Sequence, residues 1–387
     1  MIKDVKQMNE KIKILALSWR DIKAPKAGGA EVHTHMMLSG LDREQYEVVH
    51  ISPEYEGCTK KEVIDGVTYI RMGNIFTVIW KAFRYYRRHR NEYRWVIDQC
   101  NTHRFFTWMY VPQEKRVFYI HQLTREIWKY NMKWPWYKVG QALETWMLKR
   151  NRKDKVITVS KSTKQELVEL GYNPEKIVIV YNGINFEPWS WDEMYEKEPV
   201  PTFIYAGRYV PYKGIDVAIQ AFVNIKKEYP DAKLWILGKK NQEYVDTKLL
   251  PICKENHISW GDDGDESGDV VSWGYVSEEK KLELLSRATA LLFPSVREGW
   301  GIPITEAGVV GTPSIVFDST GIRDAIDNGK AGYLCETNDV EGLVEQIKKA
   351  ISDDERYAEM RRKAYEFSSQ FRTDRVKEYL IDFFDKG

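Results

Sequence analysis

The amino-acid sequence predicts an α/β protein made of two Rossmann-like, doubly wound domains that face each other across a cleft. Three observations favour this fold class. The 387 residues exceed what one hydrophobic core usually serves, which favours two domains. Short apolar runs alternate with amphipathic stretches of helical length, as they do in parallel α/β sheets. This alternation stops once near the middle of the chain and then starts again.

Apolar runs in the first half of the chain predict six strands separated by helices. The predicted strands are Ile12–Leu17, Val48–Ile51, Trp95–Asp98, Val117–Ile120, Val156–Val159 and Ile177–Val180. The predicted helices are Glu31–Gly40, Val78–Arg90 and Lys161–Leu170. Ser160 precedes the third helix and is its expected N-cap.

The pattern breaks where Pro188, Pro199 and Pro201 flank an acidic run, which predicts an interdomain linker. A second series of strands follows, at Phe203–Ala206, Leu234–Leu237, Val270–Trp273, Ala290–Phe293 and Ser314–Phe317. The predicted organisation is an N-terminal domain of residues 1–186, a linker of residues 187–201, a C-terminal domain of residues 202–369, and a helix of residues 370–387 that packs back on the N-terminal domain.

The net charge of +1 conceals an uneven distribution of charge along the chain. Residues 1–200 contain 33 Lys and Arg against 25 Asp and Glu, whereas the remaining residues contain 25 against 32. The positive excess is concentrated from Lys81 to Lys155, a segment that is also rich in aromatic residues. This composition favours an anionic partner, which could be a membrane surface, a phosphorylated acceptor or nucleic acid.

Neither a membrane-spanning helix nor a signal peptide is predicted. No run approaches the roughly 18 to 20 apolar residues that cross a bilayer, and the N-terminal sequence MIKDVKQMNEK has no apolar core. The four cysteines are far apart and form no CxxC pair; they are Cys58, Cys100, Cys253 and Cys335. We therefore expect a cytoplasmic protein with reduced thiols.

Two glycine-containing segments each follow the first predicted strand of a half. Gly28 and Gly29 open the first helix, where backbone N–H groups and the helix N-terminus favour an anion. Their spacing is not GxGxxG, which favours a phosphate over a dinucleotide, and an ordinary tight turn is the alternative. In the second half, Arg208 can bind phosphate oxygens through two N–H groups and Lys213 adds a point charge. The alternative is a pair of solvated loop cations.

The segment EGWGIPITE, Glu298–Glu306, carries two carboxylates across a glycine-rich loop. Pro303 fits the first turn of a helix, which places Glu306 inside that helix. Gly299 and Gly301 would expose backbone donors beside Glu298. The two carboxylates could hold a sugar hydroxyl and a ribose diol. Alternatively, Glu298 is a surface residue and Glu306 complements the helix dipole.

Taken in this order, GGAE, GRYVPYKG and EGWGIPITEAGVVGTP resemble the retaining family 4 glycosyltransferases of GT-B fold. The likeness extends over nearly the whole chain and is strongest from Phe203 to Leu334. It implies transfer of a hexose from a UDP- or GDP-sugar to an acceptor hydroxyl, in the synthesis of cell-surface polysaccharide or glycolipid. Which glycan or lipid-linked acceptor is used stays open.

The resemblance also implies roles for individual residues. Gly28 and Gly29 would lie against the donor diphosphate, which Arg208 and Lys213 would neutralise. The other implied donor-site residues are Glu298 against the transferred sugar, Gly299, Trp300 and Gly301 beside it, Glu306 at the ribose, and Val276 at the nucleobase. His121 would lie near the reacting carbon, with His103 as its rival and a purely structural histidine as the alternative.

The acidic run DDGDE at 262–266 contains the DxD metal motif of a different glycosyltransferase fold. Its Gly- and Asp-rich context favours a solvated loop, with Asp263 and Asp265 exposed. Because Arg208 and Lys213 supply fixed positive charge, we expect no cofactor and no metal requirement.

Four other function classes could account for parts of this sequence. A sugar-nucleotide epimerase of the same fold and a non-catalytic partner subunit stay open as alternatives. A phosphorylase needs a lysine for pyridoxal phosphate, and no such lysine is identifiable. A nucleic-acid-binding protein would explain the basic segment, but no recognition module is found, so no nucleic-acid partner is expected.

The basic and aromatic stretch Trp80–Trp95 has the composition of an interfacial helix. On a helix, the side chains of Trp80, Phe83, Arg84, Arg87 and Arg88 lie near one another. The alternative is that Phe83 faces the domain core and the arginines are merely solvated. On the interfacial interpretation, we expect peripheral contact with an anionic membrane surface at the inner face of the membrane.

Overall fold

A computed structural model describes residues 11–100, 104–372, 378–380 and 383–384. The chain divides into two compact units. The first comprises residues up to Leu123, Gln141–Asn182 and the C-terminal residues from Thr373, and the second comprises Thr124–Gly140 and Gly183–Arg372. The predicted linker residues 187–201 lie in the second unit and form neither helix nor strand.

The first unit is built on an eight-stranded sheet with the order β3-β4-β2-β1-β5-β6-β7-β8. Its strands are β1 (Ile12–Leu17), β2 (Tyr46–Ser52), β3 (Lys61–Ile64), β4 (Val67–Arg71), β5 (Tyr93–Cys100), β6 (Arg116–Ile120), β7 (Lys155–Thr158) and β8 (Ile177–Ile179). All neighbouring pairs are parallel except β3 and β4, which form a hairpin. Asp65 and Gly66 at its tip have φ of 45° and 78°, as a two-residue hairpin turn requires.

Helices cover this first sheet. They are α1 (Gly29–Ser39), α2 (Val78–His89) and α5 (Lys161–Glu169), with single 3-10 turns at Thr107–Met109, Gln113–Lys115 and Pro174–Lys176. Val78, Ala82 and Tyr86 repeat every four residues and form the buried face of α2, which packs on apolar residues of β1 and β2. The Ser160 hydroxyl accepts a hydrogen bond from the Thr163 N–H, which confirms the predicted N-cap of α5.

The second unit contains a seven-stranded, entirely parallel sheet with the order β11-β12-β10-β9-β13-β14-β15. Its strands are β9 (Thr202–Ala206), β10 (Lys233–Leu237), β11 (Trp260–Asp262), β12 (Val270–Gly274), β13 (Ala290–Phe293), β14 (Ser314–Val316) and β15 (Tyr333–Leu334). Apolar side chains of β9, β10 and β13 are buried against α6 (Ile215–Lys226), as expected for a sheet covered on its faces.

The remaining helices belong to the second unit or connect the two units. They are α3 (Trp128–Asn131), α7 (Gln242–Tyr244), α8 (Leu250–Glu255), α9 (Glu278–Arg287), α10 (Ile302–Gly308), α11 (Ile322–Ala325), α12 (Val340–Ile351) and α13 (Asp354–Ser368). The helix α4 (Trp136–Arg150) contributes residues to both units. A π-helical segment lies at Val245–Leu249, and single 3-10 turns lie at Arg125–Ile127, Pro211–Lys213 and Asp327–Gly329.

Two further sequence expectations concern membranes and thiols. In the part of the chain that the structure describes, no helix is both long and apolar enough to cross a bilayer. All four cysteines are free thiols, and Cys253 and Cys335 are buried. Burial raises the pKa of both buried thiols to about 12, so they are not reactive thiolates at neutral pH.

Candidate functional site

The loops that carry Arg208 and Glu298 leave neighbouring strands of the second sheet. β9 lies at the centre of this sheet, with β10 on one side and β13 on the other. The chain fills the β10 side first and then crosses back to β13, so the connections that leave β9 and β13 run in opposite directions. Such a switch point opens a crevice at the carboxyl ends of the strands, where α/β proteins bind ligands.

The loop after β9 approaches the loop after β13 very closely. Gly214 ends the turn Pro211–Lys213 with φ of 72°, and a Cβ placed on it would lie 2.1 Å from the Pro294 carbonyl oxygen. Only glycine fits this approach. Within the same loop the Arg208 guanidinium is exposed and donates to the Tyr212 hydroxyl at 2.9 Å.

Lys213 and Glu298, which are 85 residues apart in the sequence, form an ion pair at this point. The Ser295 hydroxyl donates to the same carboxylate oxygen of Glu298 at 2.8 Å. The two ion-paired side chains are only 14% and 12% exposed, so solvent screens their charges little. The structure therefore brings together two of the residues that the sequence predicted separately.

The backbone around Glu298 is fixed by a neighbouring loop. The Glu298 N–H donates to the Thr320 carbonyl at 3.3 Å, and the Ser319 hydroxyl donates to the Ser295 carbonyl at 3.0 Å. Gly321 has φ of 80°, and a Cβ there would lie 2.3 Å from the Glu298 carbonyl oxygen. The contact between these two loops fixes the backbone from which the Glu298 side chain extends.

Residues 299–306 lead from this loop into α10. Gly301 precedes the helix with φ of 98°, and Pro303 lies in its first turn, as predicted. The Trp300 indole is buried and donates to the Thr305 hydroxyl at 2.9 Å, which ties the loop to the helix. Glu306 lies within α10, so the predicted helical position of this carboxylate is confirmed.

Glu306 is paired with a lysine that the sequence analysis did not identify. The Lys281 ammonium, on α9, donates to Glu306 at 2.8 Å and to Glu278 at 2.7 Å. Burial raises the pKa of Glu306, and the Lys281 charge opposes that rise. Val276 lies in the loop before α9 and is half-buried, next to Tyr275, which is 84% exposed.

In the first unit, Gly28 and Gly29 lie at the start of α1. The Gly28 N–H donates to the Glu31 carboxylate at 2.8 Å, and Arg20 donates to the other oxygen of Glu31 at 3.0 Å. The carboxylate of Glu31 thus already occupies one of the backbone donors that the sequence assigned to an anion. The contact of Gly29 with a diphosphate stays a prediction.

His121 directly follows β6 and lies in a group of neutral polar side chains. Its ring meets that of His33 edge to face, with the ring centroids 5.5 Å apart. Its Nε2 atom is 3.4 Å from the amide nitrogen of Gln99. Burial, together with the nearby His33, lowers the pKa of His121 well below its ordinary value, so the imidazole is neutral at pH 7. The rival His103 lies outside the described residues.

Sequence reasoning missed the partners of His121. His33 Nε2 faces the Tyr181 carbonyl at 3.2 Å, and its Nδ1 is 2.6 Å from the Tyr119 hydroxyl. Because a carbonyl can only accept, Nε2 carries the proton and Nδ1 accepts from Tyr119. Burial lowers the pKa of His33 to about 4. Of these residues only His33 had a local signal, its position four residues after Gly29 on the first helix.

The two groups of side chains differ in what they can do. The Arg208, Lys213 and Glu298 group can neutralise an anion and hold a hydroxyl. The His33 and His121 group offers neutral donors and acceptors. Among the residues that the structure describes, no group of three or more His, Cys, Asp or Glu could hold a metal ion.

Two family profiles match adjoining parts of the chain. Residues 27–188 match the profile described as Glycosyltransferase Family 4, and residues 189–367 match Glycosyl transferases group 1. Together the two matches support a glycosyltransferase of the family 4 type. The boundary between the two matched regions, at residue 188, falls inside the irregular segment that precedes β9.

Solved structures with low sequence identity share the fold of this chain. Sucrose-phosphate synthase from Thermosynechococcus elongatus superimposes with a TM-score of 0.74 over 97% of this chain and 99% of that one, at 17% identity. HepE from Anabaena, solved with UDP-glucose, gives 0.70 over 97% and 100%, at 15% identity. The predicted fold of two Rossmann-like α/β domains is confirmed.

Curated relatives match this chain over part of their length. The glycogen synthase of Mycobacterium tuberculosis is 28% identical over 213 residues, which is 55% of this chain and 48% of the relative. The chain spans about half the length of the curated relatives it matches.

Proposed function

We propose that this chain is a retaining, metal-independent glycosyltransferase that moves a hexose from a nucleotide-diphosphate sugar to an acceptor hydroxyl. The observation that carries the proposal is the Lys213–Glu298 ion pair, held by Ser295 at the carboxyl ends of β9 and β13 and flanked by Arg208. A departing diphosphate needs fixed cations, and a transferred sugar needs a fixed hydrogen-bond acceptor. This one place in the second unit supplies both.

Each side chain has a defined part in the proposed reaction. The exposed Arg208 guanidinium would take two diphosphate oxygens, and the Lys213 ammonium would share its N–H donors between Glu298 and a phosphate. Glu298 would accept from a sugar hydroxyl, with the backbone of Trp300 and Gly301 beside it. The leaving phosphate would take the acceptor proton on the same face, which retains the anomeric configuration.

The donor is proposed to be a UDP- or GDP-sugar. HepE is solved with UDP-glucose, and the glycogen synthase relative is named for making a glucose polymer, so UDP-glucose is the first donor to test. Contact of Glu306 with the ribose and of the Val276 backbone with the base would complete the nucleotide site. Unfolding in the presence of each nucleotide sugar identifies the donor, because 100 times Kd of ligand stabilises the fold by about 2.7 kcal/mol.

The acceptor is proposed to be a glycan or a lipid-linked molecule, met by the protein at the cytoplasmic face of a membrane. The excess of Lys and Arg in residues 1–200 favours an anionic acceptor or surface. Synthesis of a polysaccharide or a glycolipid fits this chemistry.

The deciding experiment removes the cations one at a time. Arg208→Ala and Lys213→Ala should each weaken binding of UDP or GDP more than binding of the monophosphate, and should slow transfer by about 10²–10³. Lys239→Ala is the matched control, since this exposed lysine follows β10 on the same edge of the sheet. Wild-type turnover in both Arg208 and Lys213 variants would contradict the proposal.

Analysis of the product separates the proposed transfer from the remaining alternatives. NMR of the glycosylated acceptor should show the same anomeric configuration as the donor. Conversion of the nucleotide sugar to its epimer, with no acceptor consumed, would instead indicate an epimerase. Donor binding without any turnover across an acceptor panel would indicate a partner subunit.

A further inference from the structure

We infer that the exposed face of α4 is the surface by which this protein docks on an anionic lipid bilayer. The helix α4 runs from Trp136 to Arg150 without a break. Trp136, Val139, Leu143 and Trp146 are 66%, 52%, 51% and 48% exposed. Their spacing of three, four and three residues places them on one line along the helix.

A separate face of α4, about 120° around the helix from the exposed line, packs against the protein. Gly140, Glu144 and Leu148, spaced by four residues, are buried. A Cβ on Gly140 would lie 2.7 Å from the Trp128 ring, so this glycine allows close packing on the inner face. The apolar line is therefore not a core face that happens to be partly open, because the helix has a separate buried face.

Positive charge borders the apolar line. At 100° per residue, Lys138 and Lys149 lie beside the line, and Arg150 lies at its end with its guanidinium 4.7 Å from the centre of the Trp146 ring. All three cations are exposed. From Lys129 to Arg150 the sequence contains a single acidic residue, Glu144, and that side chain is buried.

The turn before α4 carries further exposed apolar and basic side chains. Trp134 is 76% exposed, Met132 is 45% exposed, and Lys133 between them is also exposed. Tryptophan rings with lysines and arginines around them are the residues found at the headgroup level of membranes. Cations with no exposed carboxylate among them favour a negatively charged occupant, which an anionic bilayer supplies and a typical mixed-charge protein surface does not.

The other basic and aromatic helix, α2, has a shorter apolar surface. Phe83 is half-buried and packs edge to face on Tyr110, with ring centroids 5.2 Å apart. Trp80 is 57% exposed, but the Arg84 guanidinium covers its ring at 4.5 Å. The exposed apolar residues of this region, Ile75 and Phe76, precede the helix. We therefore assign the docking surface to α4 rather than to the predicted stretch at 80–95.

The inference rests on the proposed membrane-associated function, but its test needs no turnover. The purified protein is floated with phosphatidylcholine vesicles that contain or lack phosphatidylglycerol, at low and at physiological ionic strength. Binding is expected only to the anionic vesicles and should weaken with salt. Lys133→Glu, Lys138→Glu and Lys149→Glu combined should reduce this binding at least about tenfold, because each cation near such a surface adds on the order of 1 kcal/mol.

Two further variants separate insertion of the apolar line from attraction by charge. Leu143→Ser with Trp146→Ser should remove the binding that persists at physiological salt. The matched control reverses three exposed cations that lie outside α4 and the turn before it, Lys227, Lys330 and Arg362, to Glu and should bind like the wild type. Because every changed side chain is exposed, the thermal unfolding midpoint should stay within a few degrees for all variants.

Three outcomes would overturn the inference. The first is a wild-type protein that ignores anionic vesicles at low salt. The second is loss of binding on reversal of Arg84, Arg87 and Arg88 in α2, with full binding by the α4 variants. The third is a wild-type dimer in light scattering that the Leu143→Ser and Trp146→Ser change converts to a monomer, without an effect on vesicle binding. None of these depends on whether the chain transfers a sugar.

Discussion

In the second unit both candidate carboxylates are ion-paired, whereas in the first unit the candidate histidine lies among neutral groups joined by hydrogen bonds. Lys213 pairs with Glu298, and Lys281 pairs with Glu306. His33 and His121 are both neutral at pH 7, and Tyr119 donates to His33.

This difference favours the second unit as the one that meets the anion of the proposed donor. An ammonium paired with a carboxylate can turn part of its hydrogen bonding to a phosphate without leaving a buried charge unpaired. A neutral histidine offers no such attraction, but it can align a hydroxyl or a carbonyl without adding charge. We therefore expect changes in the second unit to act on the donor and on the rate, and changes around His33 and His121 to act on stability and on acceptor geometry.

The largest effect is expected for Glu298. Replacing it by Gln keeps the shape of the side chain but leaves Lys213 without its carboxylate, and we expect transfer to slow by about 10²–10³. The affinity for the bare nucleotide should change much less, because the carboxylate is proposed to contact the sugar. Initial rates and calorimetric titration measure the two quantities.

Glu283→Gln is the control for the Glu298 variant. Like Glu298, the Glu283 carboxylate is ion-paired, in its case with Lys280 and Arg287. It lies within α9 and not in the loop after β13. An unchanged transfer rate in the Glu298 variant would remove this residue from the proposed mechanism and would weaken the contrast between the two units.

Strands with continuous buried runs could be predicted from the sequence, and half-exposed ones could not. β1 and β13 have the predicted bounds, because every residue in them is apolar apart from Lys13. The hairpin of β3 and β4 was missed because Lys61–Ile64 is only half-buried on alternate residues and shows no apolar run. The Asp65-Gly66 pair was the available signal, since this dipeptide favours the two-residue turn found there.

The sequence marks individual candidate residues, but it does not indicate which of them pair. Lys213 and Glu298 stand in recognisable glycine-rich loops, yet nothing in 85 residues of intervening sequence indicates that they touch. His33 and Tyr119 are 86 residues apart and have no loop motif to mark them. Periodicity reports which face of an element is buried, and only the topology of the sheet decides which carboxyl ends become neighbours.

The second-largest effect is the pH dependence of the free energy of unfolding that the buried His33 of the first unit should cause. The pKa of His33 is about 4 in the folded chain against about 6.5 when exposed. Between these values the unfolded chain binds a proton that the folded chain does not, so the free energy of unfolding should fall as the pH falls from 6.5 to 4. One such histidine contributes about 3 kcal/mol over this window. Urea unfolding at a series of pH values measures the slope.

The variant that checks the His33 assignment is His33→Gln. It should lower stability at pH 7 by loss of the hydrogen bonds with Tyr119 and Tyr181, and its stability should depend less on pH than that of the wild type. His50 and His121, whose pKa values are also lowered by burial, would account for the remaining slope. His257→Gln, at an exposed position, is the control. Equal slopes for wild type and the His33 variant would contradict a buried neutral imidazole.

Replacing Lys281 is expected to have a smaller effect, on nucleotide binding. Without this ammonium, burial would raise the pKa of Glu306 further, and a protonated carboxyl would hold the ribose diol less well. Lys281→Met should weaken UDP or GDP binding about tenfold, the size of one charge-assisted hydrogen bond. It should also reduce the preference for the nucleotide over its 2′-deoxy analogue. Calorimetric titration with both nucleotides measures this preference.

Two controls show whether Lys281 acts through Glu306. Lys281→Arg should restore most of the affinity, because a guanidinium can also donate to the carboxylate. Lys280→Met changes the neighbouring lysine, which pairs with Glu283 at 2.7 Å, and should leave the preference unchanged. If the Lys281→Met variant binds weakly but keeps the full preference for the ribose hydroxyl, Lys281 does not act by positioning Glu306.

The smallest effect is expected from removal of divalent metal. Arg208 and Lys213 would supply the positive charge that a metal supplies elsewhere, so chelation by EDTA should leave the rate within about twofold.

Two carboxylates of the acidic run have partners within the protein. Asp262 lies in β11 and pairs with Lys240 at 2.6 Å, and Asp265 accepts from the Ser267 N–H at 3.1 Å. Loss of activity with EDTA that Mn²⁺ or Mg²⁺ restores would point to Asp263 and Asp265 as ligands. If Mn²⁺ or Mg²⁺ then failed to restore activity in Asp263→Asn, a bound metal rather than Lys213 would neutralise the diphosphate. The contrast between the two units would no longer rest on fixed cations.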